Sequence, residues 1–313
     1  MAKLKLTEIE LKIKTTTPKE VDYRYQGTVS YSQYSIWRKC PHQWYLNYFK
    51  GLSTYSQSIH TIFGTSIHEA LQHYLKVMYA ESGAAADRED IITIFKDKFR
   101  ILYKEEFERT KQHFSSPDEM KEFHDDGVTI LEYFKKHRNQ FFSTRNVVLL
   151  GIEMPLMVGL SKNLFLKGYI DFVLYDKDLD KVYIYDIKTS RQGWGDKDKK
   201  DSIKISQLLL YKEYFSKQYN IDVDKIEVEF FIVKRKVWDS PDFVIPRIQS
   251  FKPAAGKIKR KQAAEAFSAF LNECFNTEGK MVDKEYSKIV SKSSCTYCPF
   301  NNDKTLCDKN VAL

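Results

Sequence analysis

The sequence predicts an α+β protein: a mixed sheet over residues 146–255, flanked by helices, with a helical elaboration before it and a cysteine-bearing tail after it. Three observations carry this expectation. Apolar residues recur at helical spacing up to about residue 142, and near Asn146 the period changes to that of strands. The elements then follow the order helices, strands, helix, strand, helix, which suggests a sheet core with helices segregated around it. Finally, 313 residues with 42% hydrophobic and 29% charged side chains are enough for a large core of ordinary globular composition.

Taken in order, residues 1–29 are charged and β-branched and read as an edge strand or a loose arm. Residues 30–313 are expected to form one domain, mainly helical over 30–145, with the sheet core at 146–255 and a helix and tail at 256–313. Ser30 or Ser32 caps a helix reaching Phe49, in which Ile36, Cys40, Trp44 and Tyr48 recur at helical spacing. A second helix spans Thr61 to Tyr79 and ends before the break at Ser82-Gly83. Two long amphipathic helices follow over 88–114 and 117–142, the second with Ser116 as cap and Pro117 at its first position. Val147–Val158, Phe165–Leu174 and Val182–Asp186 read as strands, and 201–219 as a helix. Ile226–Val233 and Phe243–Ile248 are the remaining strands, and Ala263–Phe275 is the last helix.

Lys and Arg number 50 against 42 Asp and Glu, and the net charge of +8 suits a polyanionic partner. With 20 Tyr and 21 Phe, some rings are available to stack on unpaired bases. No run approaches the roughly 18 apolar residues of a membrane helix, and the charged N-terminus lacks an apolar signal core. A cytoplasmic location without membrane attachment is therefore expected. There, five cysteines argue against a disulfide framework.

The most informative stretch is Gly168–Ser190. Two apolar strands flank the turn Lys177–Asp180, so an antiparallel hairpin is the simplest reading. If Asp176 pairs with Lys181, Asp171 falls opposite Asp186, where like charges destabilise. Facing carboxylates ask for a compensating cation, and hard oxygen ligands suit Mg²⁺ or Mn²⁺. Lys188 projects from the same face as Asp186, while Ile187 points to the core. Taken alone, an Asp-x-Lys is usually no more than surface charge.

Four segments together carry more: Gly64-Thr65-Ser66-Ile67-His68, Gly168-Tyr169-Ile170-Asp171, Asp186-Ile187-Lys188 and Gln207-Leu208-Leu209-Leu210-Tyr211. In order, spacing and predicted structure they resemble the RecB-type branch of the PD-(D/E)xK nuclease superfamily, over roughly residues 30–310. The resemblance implies a restriction-endonuclease-like sheet and a metal-dependent DNA nuclease. It also implies roles. His68, Asp171, Asp186 and the main-chain carbonyl of Ile187 would hold Mg²⁺ or Mn²⁺. Lys188 would orient the attacking water and stabilise the phosphorane charge. Gln207 and Tyr211 would steady the site or touch the DNA backbone. Glu153 either points at the metal, as an acid there sometimes does in the family, or is an exposed strand glutamate. Alone, His68 is an ordinary satisfied histidine.

Cys295, Cys298 and Cys307 form a compact cluster in polar surroundings, one ligand short of a tetrahedral site. Cys40 is the fourth thiol, and the resemblance, here to the CRISPR-adaptation nucleases and AddB-type subunits, implies a [4Fe–4S] cluster, with Zn²⁺ as the alternative. Cys274 sits among Ala269, Phe270 and Phe275 and reads as a buried free thiol.

Lys197, Lys199, Lys200 and Lys204, then Lys234-Arg235-Lys236, then Lys252, Lys257, Lys259, Arg260 and Lys261 are candidates for phosphate contacts. Trp194 either stacks on a base or anchors its loop. The expected function is a DNA exonuclease in recombination, repair or end processing, acting on single strands or free ends. The alternative is a non-catalytic DNA-end binding or scaffold subunit of a helicase–nuclease complex. The sequence contains no GxxxxGK[ST] loop, so unwinding is expected from a helicase or recombination partner.

Overall fold

The computed structural model of the protein describes residues 6–16, 27–52, 57–238 and 243–308. Its sheet is organised by one long strand, β3 (Leu164–Asp176). Strand β2 (Val147–Ser161) runs antiparallel along one edge of β3. The other edge is shared. Strand β4 (Lys181–Ser190) pairs with the C-terminal half of β3, from Asp176↔Lys181 to Phe172↔Tyr185. The short β1 (Gly27–Val29) pairs parallel with Leu164, Phe165 and Leu166. Strand β5 (Ile226–Lys234) lies parallel to β4, and β6 (Ile248–Phe251) is antiparallel to β5. The result is a six-stranded mixed sheet, as the α+β, restriction-endonuclease-like expectation requires.

Helices cover both faces because strand side chains alternate between them. On one face lie α4 (Ile59–Ala80), α6 (Ile91–Thr110) and α7 (Pro117–His137). Their Ile67, Leu71, Phe95 and Phe134 pack with Phe172, Ile187 and Phe231 of the sheet. On the other lies α9 (Ser202–Tyr219), whose Leu208, Tyr211 and Phe215 meet Val173, Ile184 and Phe230. A third apolar cluster joins α2 (Tyr31–Lys39) to α10 (Lys257–Cys274) through Tyr34, Trp44, Phe267 and Phe270. Among the described residues, no helix is long and apolar enough to cross a membrane.

Several expected boundaries move. The arm at 1–29 contains a helix, α1 (Glu8–Thr16), which buries Ile9 and Ile13, and then β1; residues 1–5 and 17–26 lie outside the described residues. The helix expected from Ser30 to Phe49 breaks at Cys40, which is extended at φ −162°. Proline disfavours helical backbone in the residue before it, and Pro41 opens α3 (Pro41–Trp44), which runs into a π turn, Tyr45–Phe49. Gly83–Arg88 is a separate short helix, α5, so α6 starts only after its cap Asp90. The strand expected at Phe243–Ile248 lies instead at Ile248–Phe251, since Pro246 offers no ladder donor. A short α8 (Asp196–Lys200) was not anticipated, and α10 begins at Lys257, ahead of the expected Ala263.

Candidate active site

The hairpin takes the expected register, but its ladder stops at Phe172↔Tyr185, one step before Asp171 and Asp186. Beyond that point β4 continues with β5 alone, so β3 and β4 part at a fork. The anticipated direct Asp171–Asp186 pair is replaced by a side-chain bridge. The Ile187 N–H, left without a ladder partner, donates to Asp171 Oδ2 at 2.5 Å. Strand alternation still sets the faces: Ile187 enters the core, and Asp186 and Lys188 turn toward α9.

The β2 edge is interrupted at the same row. Ile152↔Phe172 and Met154↔Ile170 pair on either side, while Glu153, opposite Asp171, departs from strand geometry at φ +46°. Gln72 of α4 fills the gap: its Nε2 donates to the Asp171 carbonyl at 3.2 Å and to Glu153 Oε1 at 2.6 Å. One turn earlier on the same helix, His68 Nδ1 stands 3.7 Å from Asp171 Oδ2. Helix α4 comes this close to β4 because Gly64 has no side chain; a Cβ there would sit 3.2 Å from Thr189 Oγ1. His68, Asp171, Asp186, Lys188 and Glu153 thus come together at the fork.

Asp186 is only 3% exposed. Burial pushes the Asp171 carboxyl up to about 7 and that of Asp186 up to about 6, opposed in both by the nearby Lys188 ammonium. Burial also holds His68 below the ordinary imidazole range, which keeps the ring neutral and able to act as a ligand. Lys188 Nζ lies 2.7 Å from Asp186 Oδ2, but off the direction of a hydrogen bond, so this buried oxygen has no aligned donor.

Among the described residues, no three His, Cys, Asp or Glu side chains stand arranged to hold a metal ion. The acids are instead engaged within the protein, by Lys188, by the Ile187 N–H and by Gln72. Their chemistry nevertheless fits a hard divalent cation. The buried Asp186 and the largely buried Asp171, both with raised proton affinity, sit beside a neutral imidazole.

Across the site, Gln207 Nε2 lies 3.4 Å from Tyr211 Oη. Tyr211 is buried against Gly168, where a Cβ would lie 3.4 Å from its ring. Sequence reasoning missed Gln72 and Tyr31. The Tyr31 hydroxyl donates to the Ile203 carbonyl at 2.5 Å, and burial, then the Asp186 charge, hold its phenol well above the usual range. The four-residue spacing from His68 could have pointed to Gln72, whereas nothing in the sequence marks Tyr31.

Other expectations are corrected. Trp194 is buried against Phe230, ring centroids 4.7 Å apart, and so anchors its loop. Arg235 is buried in ion pairs with Glu122 and Asp126, and Lys236 binds the same two acids. These two cations are spent within the fold and are not free for phosphate. Arg260 is likewise held, beside Glu213.

Away from the fork, Cys40, Cys295, Cys298 and Cys307 all line one small cavity, and none of them forms a disulfide. Ser294 Oγ donates to the Lys39 carbonyl at 2.9 Å, and the His42 ring meets the Leu306 carbonyl at 2.9 Å, tying the tail to α2 and α3. Cys274 lies apart, buried beside Tyr286.

A forked sheet carrying buried carboxylates and a lysine defines a candidate phosphodiesterase-type hydrolytic site. The chain matches the family model of the PD-(D/E)XK nuclease superfamily over residues 28–303, and it belongs to that superfamily. Nucleases of this superfamily generally use Mg²⁺ or Mn²⁺. No protein of curated function matches the chain.

Proposed function

We propose that the chain is a divalent-metal-dependent deoxyribonuclease, an exonuclease that hydrolyses DNA in recombination, repair or end processing. The observation that carries this reading is the fork, where Asp171, Asp186, Lys188 and His68 converge from β3, β4 and α4. His68, Asp171, Asp186 and the Ile187 carbonyl would hold Mg²⁺ or Mn²⁺, with Glu153 as a further acid. Such an ion lowers the pKa of water and polarises a phosphoryl oxygen.

The protein's own groups do the rest. Lys188, drawn away from Asp186, places its ammonium against the oxygens that gain charge at phosphorus and orients the attacking water. Tyr211 and Gln207 hold the α9 side of the site, and Gln72 holds Asp171 and Glu153 from behind. A scaffold that only bound DNA ends would have no use for buried acids whose mutual repulsion costs stability.

The four clustered cysteines are proposed to hold a [4Fe–4S] centre, with Zn²⁺ as the alternative for the same thiolate set. Their common cavity and the ties between the tail and α2 support this reading. Incubation of end-labelled single- and double-stranded DNA with the purified protein tests the activity. Cleavage is expected with Mn²⁺ and not with chelator. Intact DNA under both conditions would contradict the reading.

A further inference from the structure

On the side of α9 away from the catalytic row lies a groove of about 660 Å³, between α9 and α10. Its walls carry Arg38, Lys199, Lys200 and Lys259, and no carboxylate lines it. Two other cations of these helices are paired with acids, Lys204 with Asp198 and Arg260 with Glu213. Among the described residues, none of the four groove cations has an acidic partner. Four uncompensated charges around one concavity repel one another, and a polyanion relieves that repulsion.

The floor distinguishes between kinds of polyanion. Ile205, Leu209 and Ala263 make it apolar. Apolar surface between phosphate-binding cations suits unpaired bases, whose faces are available, and not a duplex, whose base faces are hidden in the stack.

The groove also lies within reach of the fork. Ser206 and Leu209 of α9 face it, while Gln207 and Tyr211 of the same helix face the catalytic row. A helix with its side chains is about 10–12 Å across. The path around half its circumference is about 16–19 Å, which at roughly 3.4 Å or more per nucleotide takes about five nucleotides of strand.

We propose that this groove takes the single-stranded DNA segment flanking the cleavage site. The proposal rests on the nuclease reading for the direction of the strand, while binding can be measured without catalysis. The test is fluorescence anisotropy in chelator, with labelled single strands of about 20 and about 4 nucleotides and a duplex of the longer sequence. Lys200→Ala/Lys259→Ala changes two exposed side chains outside the catalytic row.

The double variant is expected to melt as the wild type does and to bind the long strand about five- to tenfold more weakly. Its log K against log salt slope should be shallower by about 1.4, at roughly 0.7 per lost phosphate contact. Binding of the short strand should not change. Unchanged affinity and slope for the long strand overturn the proposal, as does an equal loss confined to duplex. If the wild-type protein binds through the groove but never cleaves with Mn²⁺, the nuclease reading fails and the groove stands. If it cleaves and the double variant binds as wild type, only the groove fails.

Discussion

At Asp171 the main chain of β3 loses its ladder on both edges, and each loss is made good by a side chain. Asp171 itself accepts the Ile187 N–H across the fork, and Gln72 donates to the Asp171 carbonyl on the β2 side. Replacing Gln72 by Ala removes the donor to that carbonyl, while the exposed Glu153 carboxylate turns to water, at a cost of about 1 kcal/mol. Removing such a supporting contact also weakens metal binding by about 10- to 100-fold. Denaturation and Mn²⁺ calorimetry on Gln72→Ala should show both losses; wild-type values in both would remove Gln72 from the site. The buried acids give a second expectation. Their raised pKa values, to about 7 for Asp171 and about 6 for Asp186, mean that the folded state binds protons more tightly than the unfolded chain. Their contribution to stability is full below the ordinary carboxyl range and is lost as pH rises through 6 to 7. Mn²⁺ should therefore raise the melting temperature more at about pH 8 than at about pH 5.5, and Asp186→Asn should stabilise the metal-free protein at the higher pH. An Mn²⁺ effect independent of pH would count against this. The Asp-x-Lys and its facing Asp171 were legible because strand alternation converts spacing into a shared face. Gln72 was not, because a single helical glutamine looks like any solvated one until the strand it serves is in place.

Helix α4 and the fork of β3 and β4 form the element on which the site depends. Gly64 sets their separation, and a residue larger than glycine is the direct test of that role. Gly64→Ala gains about 1 kcal/mol of helix propensity and asks only that the Thr189 hydroxyl rotate away, so the melting temperature should hold or rise. Gly64→Leu must push α4 off β4, moving His68 from Asp171 and reducing cleavage far more than it reduces stability. Equal activity in the two variants would show that the approach of α4 is not limiting. Most elements could be read from the sequence because caps and periodicity are local signals: Ser30 and Ser116 cap as their residue types suggest. The failures were positions where a neighbour overrides the pattern. Apolar spacing ran on through Cys40, yet Pro41 breaks the helix there, and β6 begins only past Pro246. The charged first turn of α10 hid its start, since Lys257, Lys259, Arg260 and Lys261 carry no apolar period.

Across the whole molecule, two apolar clusters cover the two faces of the sheet, and a third ties the first helices to the last. The four cysteines extend that third contact, joining Cys40 to a tail more than 250 residues away in sequence. The thiolate centre proposed there would close a very long loop, so its loss should destabilise the ends first. Protein purified without oxygen is expected to be brown, with a broad absorption at about 400 nm. Cys40→Ser should bleach it and expose the tail to limited proteolysis, with nuclease chemistry reduced and not abolished. A colourless protein with stoichiometric zinc would replace the cluster and keep the staple, whereas a tail equally protected in Cys40→Ser would remove the staple. The central claim is that the fork hydrolyses DNA, and it rests on two side chains, Asp186 and Lys188. The most direct measurement is Mn²⁺-dependent cleavage of end-labelled DNA by Asp186→Ala and Lys188→Ala, each confirmed folded by circular dichroism and each still binding DNA. The account predicts that both fall by at least about a thousandfold, the scale of losing a group that acts in the transition state. Near-wild-type cleavage by both variants would contradict it.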